Sequence, residues 1–388
     1  MIDLNNTEIA FKIKNNKELK NAKFLFSMIK YPFMVRILGF MSNWALKIKF
    51  PISWAVKPTL YKHFVGGETI EECFPVMKKM AAENVKSILD FSMEAVEKEE
   101  EIDAVYRELL KSVINSGEHA EIPFSVFKPT ALTTHNVLKK TSLNEPLTPE
   151  EQISYGKFVH RFDMLCAAAA KTGKPIMVDA EDYWFQQTID IVTEEMMLKY
   201  NGKTAVVYAT LQMYRHDRLD YLQHLINFSK QNNIIAGVKF VRGAYMEKER
   251  ARASEGGYPS PIYPAKEDTD RAFNEALRIS VENCDGIRVF CGTHNEKSVS
   301  YLMQYMKDKG LSNNCSAVYM SQLYGMSDNL SFNIAKAGYN VAKYLPYGKI
   351  KNVLPYLIRR AEENSAIAGQ TTRELTMLKQ ELKRRKAK

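Results

Sequence analysis

The sequence predicts an α/β fold, a (β/α)8 barrel of the TIM type with an N-terminal helical segment. Three observations lead there. From residue 84 onward, eight short β-rich runs alternate with helical stretches over about 280 residues. The runs are rich in Val, Ile, Ala and Phe, as strands buried on both faces must be. No GxGxxG follows any of them, which argues against an open dinucleotide-binding sheet.

Residues 7–83 read as helical, with loops near Pro32, Pro51, Pro58 and Gly66-Gly67. The strand candidates then follow at 85–91, 124–130, 176–182, 204–214, 236–245, 287–294, 315–323 and 339–345. Helical spacing fills the intervals, for example at 102–114, 152–171 and 185–200. The expected division is an N-terminal helical region at 1–83, the barrel at 84–366 and a basic tail at 367–388.

Five scattered cysteines without a CxxC argue against a disulfide framework and suit a reducing compartment. Seven histidines show no ligand spacing, so no metal site is expected. The net charge of +9 is uneven. Residues 1–62 hold eleven Lys/Arg against three Asp/Glu, and residues 371–388 seven against two, so the middle is net acidic. Basic ends on an acidic body suit an anionic partner. Nucleic acid is not expected, because the basic ends lack interleaved aromatics and a recognised motif.

In a barrel of this class the chemistry collects at the carboxyl ends of the strands. Those ends carry Asp90, Lys128, Asp179 with Glu181, Gln212, Arg242 through Tyr245, Thr293-His294-Asn295, Gln322 and Tyr344. One such residue is usually a cap, but a whole ring points to an active site. Lysines, an arginine, amides, a histidine and tyrosines dominate it. They suit anions and hydrogen-bonding heterocycles, which is what a flavin demands. Gly243 and Ala244 would let the backbone approach a ring or phosphate closely. A cofactor-free alternative has Lys128 or Lys239 as a Schiff-base nucleophile.

The stretch 344–364 adds a second set. Ile350, Val353, Leu354, Leu357 and Ala361 make one apolar helix face. Tyr356, Arg359, Arg360 and Glu363 share another, roughly 130° away. Neighbouring arginine forks over a pocket suit a small carboxylic acid.

In order, VFKPT, VDAE, TLQMY, KFVRGAY, GTHN, QLYGM and YLPYGKIKNVLPYLIRRAEEN resemble the proline dehydrogenase barrel over residues 60–366. The resemblance implies a distorted (β/α)8 barrel with FAD at the strand carboxyl ends, oxidation of L-proline to Δ1-pyrroline-5-carboxylate, and a membrane quinone as electron acceptor. It implies that Lys128, Arg359 and Arg360 hold the proline carboxylate, within walls of Tyr245, Leu323, Tyr344 and Tyr356. Asp179 would order Lys128 and the substrate site. Lys239 would stand near flavin N5 and stabilise charge on the reduced ring. Ala180, Gln212, Lys239, Val241, Arg242, Gly243, Ala244, Thr293, His294, Asn295, Gln322 and Glu363 match flavin-contacting positions. At the Lys239 position bacterial bifunctional members usually carry Arg and mitochondrial-type members Lys. Met246 stands where some members have Trp. With no room beside the barrel for a further catalytic or DNA-binding module, a monofunctional enzyme is expected. Trans-4-hydroxyproline is the alternative substrate. Members that prefer it tend to lack a tyrosine at the Tyr344 position, so the resemblance favours proline.

The ends suggest where such an enzyme would work. Residues 1–22 are polar and mixed in charge, unlike a secretory signal. Residues 24–50 are apolar and aromatic but broken by Lys30 and Arg36, as in a buried or interfacial segment. Thr371-x-x-Glu374 reads as a capping box, followed by a stripe of Leu375, Leu378 and Leu382 among lysines and arginines. The expectation is a cytoplasmic protein, peripheral to the inner face of the cell membrane, with the tail contributing to contact.

Overall fold

The computed structural model describes residues 2–31, 33, 57–93, 96–366 and 370–387, with the backbone alone at 58, 360–366 and 370. Its strands are β1 (Val85–Phe91), β2 (Ser125–Phe127), β3 (Ile176–Val178), β4 (Val207–Gln212), β5 (Ala236–Val241), β6 (Ile287–Gly292), β7 (Val318–Leu323) and β8 (Val341–Tyr347). The strands are parallel and follow the order β1-β8-β7-β6-β5-β4-β3-β2, which is a (β/α)8 barrel. The helices begin with α1 (Thr7–Ala10), α2 (Asn16–Ile29), α3 (Ile70–Ala81), α4 (Glu99–Glu118), α5 (His135–Ser142), α6 (Pro149–Thr172) and α7 (Tyr183–Tyr200). They continue with α8 (Arg218–Asn232), α9 (Met246–Gly256), α10 (Lys266–Glu282), α11 (Glu296–Asp308), α12 (Asp328–Lys336), α13 (Ile350–Ala366) and α14 (Gln370–Lys386). None among the described residues is long and apolar enough to cross a membrane.

Most strands are shorter than the β-rich runs that foretold them. The run at 176–182 keeps only three residues in the ladder, because its polar end leaves the sheet. The last strand departs the other way. The sequence places the turn at Pro346 and Gly348, yet Pro346 and Tyr347 stay in register with Asp90 and Phe91 of β1. Proline lacks only a donor, and its carbonyl accepts from Gly66 N at 2.9 Å. The turn falls at Gly348, whose φ of +140° favours glycine.

The chain forms two compact units, Met1–Met93 with Gln322–Lys388, and Glu94–Ser321. In the second, Phe124 meets Tyr208, Phe290 and Tyr319 edge-to-face at 5.3, 5.1 and 5.0 Å between ring centres. This aromatic plug fills the inner face of the strands low down. Gly237 lies beside Tyr208 in register, and a Cβ there would run into the Tyr208 ring. Helix boundaries in this unit follow local chemistry. α6 opens with a Thr148/Glu151 capping box and Pro149, and closes at Gly173 with φ +68°.

The first unit joins both ends of the chain. Leu375 and Leu378 of α14 are buried against Ala10, Phe11, Leu19, Ala22 and Phe26, with Leu382 packed beside them. The leucine stripe expected to face a bilayer is therefore covered by α1 and α2, whose Leu19, Ala22 and Phe26 form the matching face. Arg385 donates to the carbonyls of Phe11 and Lys14 at 2.9 and 2.7 Å. The capping-box expectation also changes. The helix starts at Gln370, so Thr371 lies inside it, and Glu374 accepts from Ser327 N at 2.5 Å. Of the aromatic segment at 24–50, residues 34–50 lie outside the described residues, as do Pro32 and Pro51.

Candidate active site

In the unit Glu94–Ser321 the strand ends bring three charged side chains together. Asp179 Oδ1 lies 2.5 Å from Lys239 Nζ, and Asp179 Oδ2 lies 3.6 Å from Lys128 Nζ. Register explains the meeting. Thr210 of β4 pairs with Lys239 of β5, and Asp179 lies one step beyond the Val178 and Ala209 pair. Asp179, Thr210 and Lys239 thus form one row across neighbouring strands. Two ammonium groups on one carboxylate leave a positive charge over, which attracts an anion. Thr210 Oγ1 is buried in that row without a hydrogen-bond partner among the described residues.

Around the row, side chains brace the loops. Glu181 accepts from Thr130 N at 2.8 Å and from Thr130 Oγ1 at 2.5 Å, fixing the segment that follows Lys128. Gln212 Nε2 donates to the Glu181 carbonyl at 2.7 Å, and Gln212 Oε1 accepts from Ala244 N at 3.2 Å. One amide therefore ties the segment after β3, which includes Ala180, to the turn after β5, where Val241 ends the strand. Arg242 reaches Asp270 at 2.7 Å, Thr293 Oγ1 at 2.6 Å and Ser298 Oγ at 2.9 Å, with its guanidinium 4.4 Å from the Phe273 ring centre. Asn295 caps α11 by accepting from Lys297 N and Ser298 N. His294 stands half-buried between Thr293 and Asn295.

At Gly243 φ is +128°, and a Cβ would come within 2.6 Å of the Tyr214 ring. Only glycine fits between that ring and the turn, and the outer side of Gly243 and Ala244 remains exposed. Tyr245 follows as the residue before α9. Asp270 and Ser298 are not marked in the sequence. They lie on helices, away from any strand-end signal.

In the unit Met1–Met93 with Gln322–Lys388, Tyr356 is buried with Tyr61, Phe64, Met326, Val353, Leu354 and Leu357, and Leu323 packs against the same group. Tyr356 therefore shares the apolar side of α13 as well as the face of Arg359. Tyr324 N donates to the Tyr344 carbonyl at 2.8 Å, joining the chain after Leu323 to Tyr344. Gln322 Oε1 accepts from Ser331 Oγ at 2.8 Å. Arg359 is half-buried, while the side chains of Arg360 and Glu363 lie outside the described residues.

Behind Leu323 and Tyr344 sits a buried ionic group. Asp328 pairs with Lys14 at 2.6 Å and with Lys343 at 2.8 Å. Burial alone would raise the Asp328 pKa, but the two lysines override it and hold the carboxyl below its usual range. Lys343 also donates to the Met326 carbonyl at 2.6 Å. Burial, with the Asp328 charge adding to it, pushes Glu374 up to about 7. Burial and then Lys14 push His63 down to about 3, so its Nε2–H donates to the Gly325 carbonyl at 2.8 Å.

The model of the proline dehydrogenase family matches residues 73–373. The chain belongs to that family. It is accordingly an oxidoreductase of the proline dehydrogenase type. A carbapenem antibiotics biosynthesis protein, CarD, of Pectobacterium carotovorum subsp. carotovorum is 33% identical over 83% of this chain and 83% of its own. Mitochondrial proline dehydrogenase 1 of Homo sapiens is 38% identical over 66% of this chain, a match that spans 44% of the human protein. Among solved structures, proline utilization A from Bdellovibrio bacteriovorus, inactivated by N-propargylglycine, superposes with a TM-score of 0.72 at 22% identity. That match covers 93% of this chain and 38% of the other, and it supports the barrel fold.

Proposed function

We propose that the protein oxidises L-proline to Δ1-pyrroline-5-carboxylate with FAD as the resident cofactor. The observation that carries this reading is the row of Asp179, Thr210 and Lys239 with Lys128 beside it. Fit to a flavin can be judged at two places. The turn at Gly243 and Ala244 is open on its outer side and made for close backbone approach. The buried Thr210 hydroxyl, unpartnered among the described residues and beside Lys239, has a hydrogen bond to give. Both features suit a large planar group with hydrogen-bonding nitrogens.

Within this reading, Lys128, Arg359 and Arg360 hold the proline carboxylate through charge-assisted hydrogen bonds. Tyr245, Leu323, Tyr344 and Tyr356 supply the apolar walls that orient the ring and keep water out. Asp179 fixes both lysines at once. Lys239 supplies positive charge where electron density grows. When bound, the flavin supplies the acceptor for the hydride leaving proline C5. Proline enters with a neutral amine, and its proton leaves to solvent.

The electron acceptor in this reading is a membrane quinone, met at the inner face of the cell membrane. Since the leucine stripe of α14 is covered, contact there would be electrostatic, through the exposed Lys379, Lys383 and Lys386. Sedimentation with anionic liposomes at low salt tests this, and protein left in the supernatant refutes it. For the reaction, the absorbance spectrum of purified protein before and after anaerobic L-proline is decisive. A yellow protein that bleaches is expected. A colourless protein that takes up no added FAD overturns the reading.

A further inference from the structure

Helix α9 follows the 243–245 turn directly, yet it has almost no apolar grip on its unit. Its buried residues are Glu249 and Ala253. Three polar contacts fasten it to the start of α7. Glu249 Oε1 accepts from Tyr183 N at 2.5 Å, Lys248 Nζ reaches Asp182 Oδ2 at 2.7 Å, and the Arg252 guanidinium lies 3.8 Å from the Trp184 ring centre. Lys248 is exposed, so its ion pair is weak. Glu249 is different. It is 0% exposed and presents its carboxyl to the first turn of a helix, where N–H groups lack intrahelical partners.

The surroundings of Glu249 are polar and under-satisfied. Glu249 Oε2, Asp182 Oδ1 and Arg215 Nη1 are buried without a hydrogen-bond partner among the described residues. The last two belong to side chains 6% and 4% exposed. Asp182, Arg215 and Lys248 are the charged groups that act on Glu249, and Asp182 and Glu249 both act on Tyr214. It is the Tyr214 ring that lies under Gly243. A second bare carboxylate beside Asp182 is costly, and the protonated acid brings a donor to a place where Asp182 Oδ1 is spare, while the Arg215 charge pulls the other way. Burial accordingly pushes the Glu249 carboxyl up to about 7, with the Asp182 charge adding to the effect.

We propose that Glu249 is a positioning residue: its carboxyl fastens α9 to the first turn of α7 and thereby sets the 243–245 turn for cofactor and substrate. The inference rests on the flavin and proline reading above. On one side of the fastening lie Asp179 and Glu181, just before α7. On the other lies Tyr245, just before α9. Without Glu249 the helix would be held by Ala253, the two surface contacts to α7 and the Arg250 hydrogen bonds to the Tyr263 and Pro264 carbonyls, and Tyr245, beyond the Gln212 tie at Ala244, would lose its set position.

Amide hydrogen exchange over Met246–Gly256 reads the fastening without any ligand, so it separates this inference from the identity of the reaction. Glu249→Ala is expected to speed exchange across α9 by about tenfold or more, while β4 and β5 keep their protection. In the loaded enzyme it should raise the proline KM by about tenfold and change kcat much less. Glu249→Gln keeps an acceptor for Tyr183 N and should restore wild-type exchange. After correction for intrinsic rates, wild-type α9 should loosen as pH rises from about 5 to about 7, and level off above that, while the Gln variant does not. Wild-type exchange or an unchanged KM in Glu249→Ala overturns the proposal, as does a Gln variant as loose as the Ala variant. Should Glu249→Ala not fold, the Gln variant decides alone, and a wild-type response of its α9 to pH overturns the proposal. Wild-type protein that binds no flavin sinks the reaction instead, and exchange still judges the fastening.

Discussion

Asp179 holds Lys239 at 2.5 Å and Lys128 at 3.6 Å, so one carboxylate sets the position of two cations from different strands. Its removal should therefore cost more than one ion pair. Asp179→Asn is expected to lower kcat/KM for proline by the equivalent of about 2–5 kcal/mol, the cost of breaking a desolvated charge pair. Steady-state kinetics alongside a melting curve checks this. A folded variant with wild-type kcat/KM would show the pair to be structural only.

Arg359→Met and Arg360→Met are each expected to raise the proline KM strongly while leaving flavin content intact. Losing one charged partner from a buried carboxylate site costs on the order of 2–5 kcal/mol. If both variants kept the wild-type KM, this face of α13 would not meet the substrate.

Tyr344→Ser should weaken discrimination against trans-4-hydroxyproline. Tyr344 is buried, and its backbone is held by Tyr324 N, so the ring has little freedom to yield to a 4-hydroxyl. A pocket change of this size shifts preference by about 1–3 kcal/mol. The ratio of kcat/KM for the two substrates measures it, and an unchanged ratio rules the role out.

Glu374 gives a pH expectation with a definite sign. Its carboxyl is pushed up to about 7 in the folded protein. As pH rises from the ordinary glutamate range toward 7, the unfolded chain releases this proton and the folded one keeps it. Stability therefore falls across that window and is fully present only below it. Glu374→Gln should make the urea midpoint less sensitive to pH between about 5 and about 8. A variant whose midpoint falls as steeply as wild type would show that another group titrates.

Much of the barrel was legible because parallel strands advertise themselves as apolar runs and because their polar ends are short and abrupt. Lys128, Asp179 and Lys239 could be named from those ends. That they touch could not, since contact depends on register across four strands, β2 to β5. Pro346 misled because proline usually marks a turn, yet here only its carbonyl is required. The leucine stripe of α14 was visible, but a stripe does not say what covers it, and α2 does so from the far end of the chain. Glu249 carried no signal at all. On a mostly exposed helix it reads as one more surface charge.

The pairing of α14 with α1 and α2 bears on how the chain is made. Arg385 bonds the Phe11 carbonyl across 374 positions. At roughly 5–20 residues per second, the first helices wait on the order of 20–75 s for that partner. Until then Phe11, Leu19 and Phe26 have no cover from it, while Glu94–Ser321 is already complete. The face of Leu19, Ala22 and Phe26 is thus left for most of synthesis without the partner that covers it in the finished fold.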